Sequence, residues 1–166
     1  MSVIDDTLKA NEGYARSFAQ DEVPLSPSRK LAVVTCMDAR LDIPRILGLK
    51  AGEAYIIRNA GGIADESALR SLIISEHLLG AREFMFIHHT DCGMLKFKEE
   101  DLAAELRKQT GAAAVAPGRF YAFSNLEEDV REQVEKVKFH PWIPKNIPVR
   151  GFIYDVKTGK LREVAA

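Results

Sequence analysis

Cysteine is scarce in this chain, with two residues in 166, and tryptophan occurs once. Two thiols at positions 36 and 92 do not make a disulfide framework, and the C-x-x-C spacing of a redox dithiol is missing. An excess of one charge is also missing. Lys and Arg number 23, Asp and Glu 24, and the formal net charge is −1. With no basic block and no aromatic-basic interleaving, the footprint of a nucleic-acid or anionic-membrane binder is not there. No apolar run approaches the ~20 residues that a membrane helix needs. The first residues, MSVIDDTLKA, carry early acids and lack the apolar stretch of a signal peptide, so the expected compartment is the cytoplasm. Repeats and low-complexity tracts are absent. A single domain over residues 1–166 is expected, with residues 1–23 as an N-terminal helical arm. At that size a chain buries roughly 70% of its extended surface without staples.

What is present is alternation. LAVVTC (31–36) is a continuous apolar run rich in β-branched residues, the pattern of a strand covered on both faces. AYIIRNAGG (54–62), EFMFIHH (83–89) and VRGFIYDV (149–156) repeat it, and a short tail strand is expected around Leu161 to Val164. Helical patterns lie between. Residues 4–20 form a loosely amphipathic helix with Asp5 and Asp6 in its first turn. Its sparse apolar positions, Leu8, Tyr14, Ala15 and Phe18, need a surface to rest on, such as another subunit. Asp65 caps a helix that Gly80 stops, and residues 99–111 form another with a glycine stop. A further helix opens on Ser124 and Glu127 at capping-box spacing and ends before Pro141. The fold class is therefore α/β. Its centre is a mostly parallel β-sheet of four strands plus a C-terminal edge strand, flanked by helices.

In such sheets ligands collect at the carboxyl ends of the strands. Cys36 ends the first strand and Cys92 follows the third by three residues, in HHTDCGM (88–94). If those strands are neighbours, Cys36, His89 and Cys92 come within reach of one point. Two thiolates and an imidazole suit zinc, and three protein ligands leave a catalytic position open. Alone, the three residues fit passive core placement equally well, since cysteine is commonly a small buried hydrophobe. Asp38 and Arg40 follow Cys36 at two-residue steps in CMDAR. A carboxylate beside a thiolate is awkward unless a cation is near, and zinc or Arg40 would supply one. A helix cap for Asp38 and a solvated Arg40 leave that spacing unexplained.

The C-x-D-x-R of CMDAR together with the H-x-x-C of HTDC resembles the β-class carbonic anhydrases, in their small prokaryotic form. IIRNAGG extends the similarity, which covers roughly residues 30–100 with motifs. The resemblance implies Zn2+ held by Cys36, His89 and Cys92. It implies that Asp38 and Arg40 gate the fourth position, with Asp38 as a fourth ligand in a closed state. The activity it implies is hydration of carbon dioxide to bicarbonate and a proton by a zinc-bound hydroxide, in a homodimer or homotetramer whose N-terminal helix reaches over a neighbouring subunit. Two alternatives stand beside it: carbon disulfide or carbonyl sulfide hydrolysis at the same zinc, and a non-catalytic zinc or bicarbonate-binding module. The chain departs from larger members in lacking a glutamine in PLSPSRK, and in carrying Gly62 where many relatives have asparagine.

Two thiolates cancel the ion's formal charge, so activity is expected to rise through alkaline pH. Alternation turns His88 away from His89, to a packed or hydrogen-bonded place. Asp91 is expected to cap the turn starting at Cys92, and Gly93 to allow close backbone approach. Arg58 and Asn59 face the same crevice, with Asn59 bonding around the ligand loop. His77 and His140 receive no function, and Phe84, Phe86 and Ile87 are read as core.

Overall fold

The computed structural model describes residues 2–18, 24–113 and 116–164. Five strands form one sheet: β1 (Leu31–Cys36), β2 (Ala54–Asn59), β3 (Glu83–His89), β4 (Val149–Tyr154) and β5 (Leu161–Val164), in the order β2-β1-β3-β4-β5. The first four run parallel and β5 lies antiparallel on β4, as the sequence pattern implied. β1 and β3 are neighbours, with Leu31 opposite Glu83 and Thr35 opposite Ile87. That pairing puts Cys36 at the same carboxyl end of the sheet as His89.

The helices are α1 (Val3–Arg16), α2 (Ile43–Leu47), α3 (Glu66–His77), α4 (Glu99–Thr110) and α5 (Leu126–Lys138). One face of the sheet packs Ala32, Val34, Phe84 and Phe86 against Ala68 and Leu72 of α3 and Val134 and Val137 of α5. The other gathers Val33 and Ile87 with Leu41, Ile43, Cys36, Cys92 and Met94. Each fully buried Phe or Leu here stabilises the fold by about 1.5–3 kcal/mol. Phe84, Phe86 and Ile87 are core, as expected.

Several boundaries move, for physical reasons. β2 stops at Asn59 because Gly61 and Gly62 take φ of 89° and 74°. β4 stops at Tyr154, where the turn to β5 begins. The α5 cap is Asn125 and not Ser124: its side chain accepts from the N–H groups of Glu127 and Glu128. Glu127 does not reach back to close a box; its carboxylate accepts from Arg131 and Arg162. α1 is capped by Ser2 and Asp5 in a reciprocal box, and the last two residues of the expected 4–20 helix lie outside the described residues. No described residue of α1 is buried. α2 was not anticipated, although Asp42 as cap, Pro44 in the first turn and Gly48 at φ 64° are all start and stop signals.

Candidate metal centre

Cys36 leaves β1 and His89 closes β3. Cys92 follows at the entrance of a 3-10 turn, Gly93–Leu95. Their donor atoms lie within 4.8 Å of one another, and all three residues are buried. Among the described residues this is the one group of such side chains compact enough to hold an ion.

Tautomer and orientation of His89 follow from its neighbours. Its Nδ1 is 2.9 Å from the Thr90 carbonyl, which can only accept, so the hydrogen is on Nδ1. Thr90 is itself tied to β4, through its N–H to the Tyr154 carbonyl and through its hydroxyl, which accepts from the Val156 N–H. The other ring nitrogen, Nε2, is buried and has no hydrogen-bond partner among the described residues. A metal-binding histidine fixed by its second nitrogen looks like this. The two thiols hydrogen-bond to each other. The bond from Cys92 holds the Cys36 thiol well below its usual range, against the effect of burial. The same bond, with burial, pushes Cys92 up. Burial opposes charge on His89, but the Cys36 sulfur, the Thr90 carbonyl and Asp38 together outweigh it and raise its pKa.

Asp38 and Arg40 form a forked pair. Arg40 Nε donates to Oδ1 at 2.9 Å and Nη2 to Oδ2 at 2.8 Å, while the Arg40 backbone N–H also reaches Oδ1. Those Arg40 bonds hold the Asp38 carboxyl well below the usual carboxylate range, and it is ionised. Asp38 Oδ2 lies 3.7 Å from the unpartnered His89 Nε2, which places the carboxylate beside the three donors.

The loop from Cys36 to Leu41 is moulded by β2. Arg58 donates to the carbonyls of Cys36, Asp38 and Leu41 at 3.0, 2.7 and 3.0 Å. Met37 N–H bonds the Asn59 carbonyl. Asn59 does not bond around that loop with its side chain, as was expected; it closes its own turn by exchanging two bonds with the Ile63 backbone. Close backbone approach belongs to Gly62, where a Cβ would sit 2.9 Å from the Thr35 carbonyl carbon. At Gly93 a Cβ would meet no described protein atom within 4 Å.

Asp91 is not a cap either. Cys92 holds the cap position of the turn without a side-chain bond, and Asp91 takes φ 54° and turns its carboxylate to Arg40 and Lys96. Its partner Arg40 is 51 positions away, and no local sequence signal could announce it. His88 points away from the centre as alternation required. It meets Asp129 of α5 at 2.6 Å and packs beside Phe123. His77 meets the Trp142 carbonyl, and His140 accepts from the Trp142 N–H.

Fold and donor set define an α/β protein with a nitrogen-and-sulfur pocket for a cation at the carboxyl edge of a parallel sheet. Residues 31–161 match the family model described as carbonic anhydrase. Beta-carbonic anhydrase 1 of Mycobacterium tuberculosis is 44% identical over 164 residues, which are 99% of each chain. The crystal structure of carbonic anhydrase from Streptococcus mutans superposes with a TM-score of 0.93 at 41% identity, over 99% of each chain. A carbon disulfide hydrolase of an Acidianus species is 32% identical over 182 residues, covering 96% of this chain and 88% of that protein. The chain belongs to the β-carbonic anhydrase family, whose activity is carbon dioxide hydration, and it is a carbonic anhydrase.

Proposed function

We propose that this chain interconverts carbon dioxide and bicarbonate with one zinc ion held by the Sγ atoms of Cys36 and Cys92 and Nε2 of His89. One observation carries the reading: a buried imidazole nitrogen with its lone pair free, its tautomer set by Thr90, faces two thiols. An unpaired buried nitrogen is costly unless something binds it. Soft sulfur with imidazole is the donor set zinc takes, and three ligands suit a catalytic rather than a structural site. When bound, zinc supplies a Lewis acid that lowers the pKa of water and provides a nucleophile near neutral pH.

The chain's own groups do the rest. Ionised Asp38 can only accept, so it takes a hydrogen bond from the attacking water and aims the oxygen's lone pair at the substrate carbon. Arg40 holds that carboxylate in a fork and keeps it off the metal. Released, Asp38 is near enough to become a fourth ligand and close the site. Arg58 keeps Cys36 and Asp38 in register through their own carbonyls.

Carbon dioxide is favoured over carbon disulfide because the carbonic anhydrase relatives stand at 44% identity and the disulfide hydrolase at 32%. The chain acts as a single domain in the cytoplasm, as a homodimer or a multiple of it. Support for assembly is α1, whose Val3, Ile4, Leu8 and nearby Phe18 are exposed. No helix among the described residues is long and apolar enough to cross a membrane.

The test is zinc per chain and stopped-flow carbon dioxide hydration on one sample, with sulfide release from carbon disulfide assayed beside it. Near-stoichiometric zinc with hydration is expected. Protein grown with ample zinc yet empty would overturn the reading. Arg40→Ala is expected to keep its zinc and lose most activity.

A further inference from the structure

Arg40 has a second set of partners that the gate as described does not use. Its Nη1 donates to Asp91 Oδ2 at 2.9 Å, and its Nη2 donates to the Asp91 backbone carbonyl at 3.0 Å. With the fork to Asp38, one guanidinium therefore joins the Cys36 loop to the loop between His89 and Cys92. Asp91 offers both acceptors to one cation from a backbone at φ 54°, a conformation uncommon outside glycine. Lys96 holds the other carboxylate oxygen at 2.6 Å, which leaves Oδ2 turned to Arg40. Strain of this kind persists only where the surroundings hold it, and it gathers at functional sites.

We propose that Asp91 is a positioning residue for carbon dioxide hydration: it anchors the outer side of Arg40, so that Arg40 keeps Asp38 away from the metal. The proposal rests on the zinc reading above. Both oxygens of the Asp91 carboxylate are engaged, Oδ1 by Lys96 and Oδ2 by Arg40. Without the carboxylate Arg40 keeps only Asp38 and the Asp91 backbone carbonyl as partners, and its hold on the Asp38 position loosens. Asp38 then turns toward the Nε2 side of the centre, and the vacant position is filled by protein.

Asp91→Gly tests this without disturbing the backbone, because glycine accepts the left-handed conformation and keeps the carbonyl that Arg40 also uses. The side chains involved are about half exposed, and exposed pairs are worth at most about fivefold in an equilibrium. For Asp91→Gly, kcat/KM is expected to fall measurably, by no more than about fivefold. Zinc loss to an excess of chelator is expected to slow by a similar factor, because a fourth protein ligand now holds the ion. Asp91→Asn, which tolerates the same backbone and keeps an acceptor, should fall between. A merely structural role moves the second reading the other way, since a loosened ligand loop releases zinc faster. Unchanged kcat/KM, or zinc loss as fast as or faster than in the wild type, overturns the proposal. The chelator arm reads Asp91 even in a chain that proves inactive toward carbon dioxide, so failure of the function and failure of the anchor are told apart.

Discussion

Arg58 and Asp91 both hold the ligand loops, yet they are expected to act on the metal in opposite directions. Among the described residues, Arg58 is the side chain that holds the carbonyls of Cys36, Asp38 and Leu41 together. Arg58→Ala frees the loop, and zinc loss to chelator should speed up by about 10- to 100-fold, as for other outer partners of metal ligands. Gly62 makes a backbone prediction. At φ 74°, with a Cβ 2.9 Å from the Thr35 backbone, Gly62→Ala should lower unfolding stability by at least about 1–2 kcal/mol in a denaturant titration. The legibility of single residues followed distance along the chain. Cys36, His89 and Cys92 sit in short spaced motifs, and the structure brings their donor atoms together. Asp91, Arg58 and Gly62 act through partners that only the pairing of β1 with β2 and β3 brings near. For Asp91 the local rule pointed to the wrong neighbour.

Among the elements, the strands were the most readable, because runs buried on both faces announce themselves. Their order was not in the residues; the adjacency of β1 and β3 entered only as a condition that the metal centre needed, and the structure meets it. α5 shows the limit of local rules. Ser124 and Glu127 have the right spacing for a box, but Glu127 lies within reach of Arg162 on β5, and a tertiary ion pair took it. That pair has a pH consequence. Arg162 lowers the Glu127 pKa from 4.5. A depressed carboxyl contributes stability above its unfolded pKa and loses it as pH falls through the folded value. A carboxyl NMR titration should place the Glu127 midpoint below 4.5 in the wild type, and Arg162→Ala should return it upward. α5 also carries Asp129, which ties His88 of β3 and Gln133, and Gln133 in turn receives the Ala64 N–H. Asp129→Ala leaves a buried imidazole without its bond and should cost about 1–3 kcal/mol in thermal or denaturant unfolding. Because His88 and His89 are joined by one peptide, the same variant should also weaken zinc retention.

At the scale of the whole molecule, the centre is assembled from both ends of a long sequence interval, and α1 buries none of its described residues against the sheet. The sparse apolar stripe of α1 was legible as a helix in need of a surface, and no described residue of it is buried in this chain. A homodimer or larger assembly is expected by analytical ultracentrifugation, and removal of residues 1–23 should shift it toward monomer. A 14-residue helix is marginal in water on propensity alone. Its helicity must then obey mass action: diluting the protein below the dissociation constant of the assembly should unwind it, and far-ultraviolet circular dichroism per residue should drop. Thermal midpoints of this enzyme would accordingly climb with protein concentration, and values from dilute assays and concentrated samples would describe two different species.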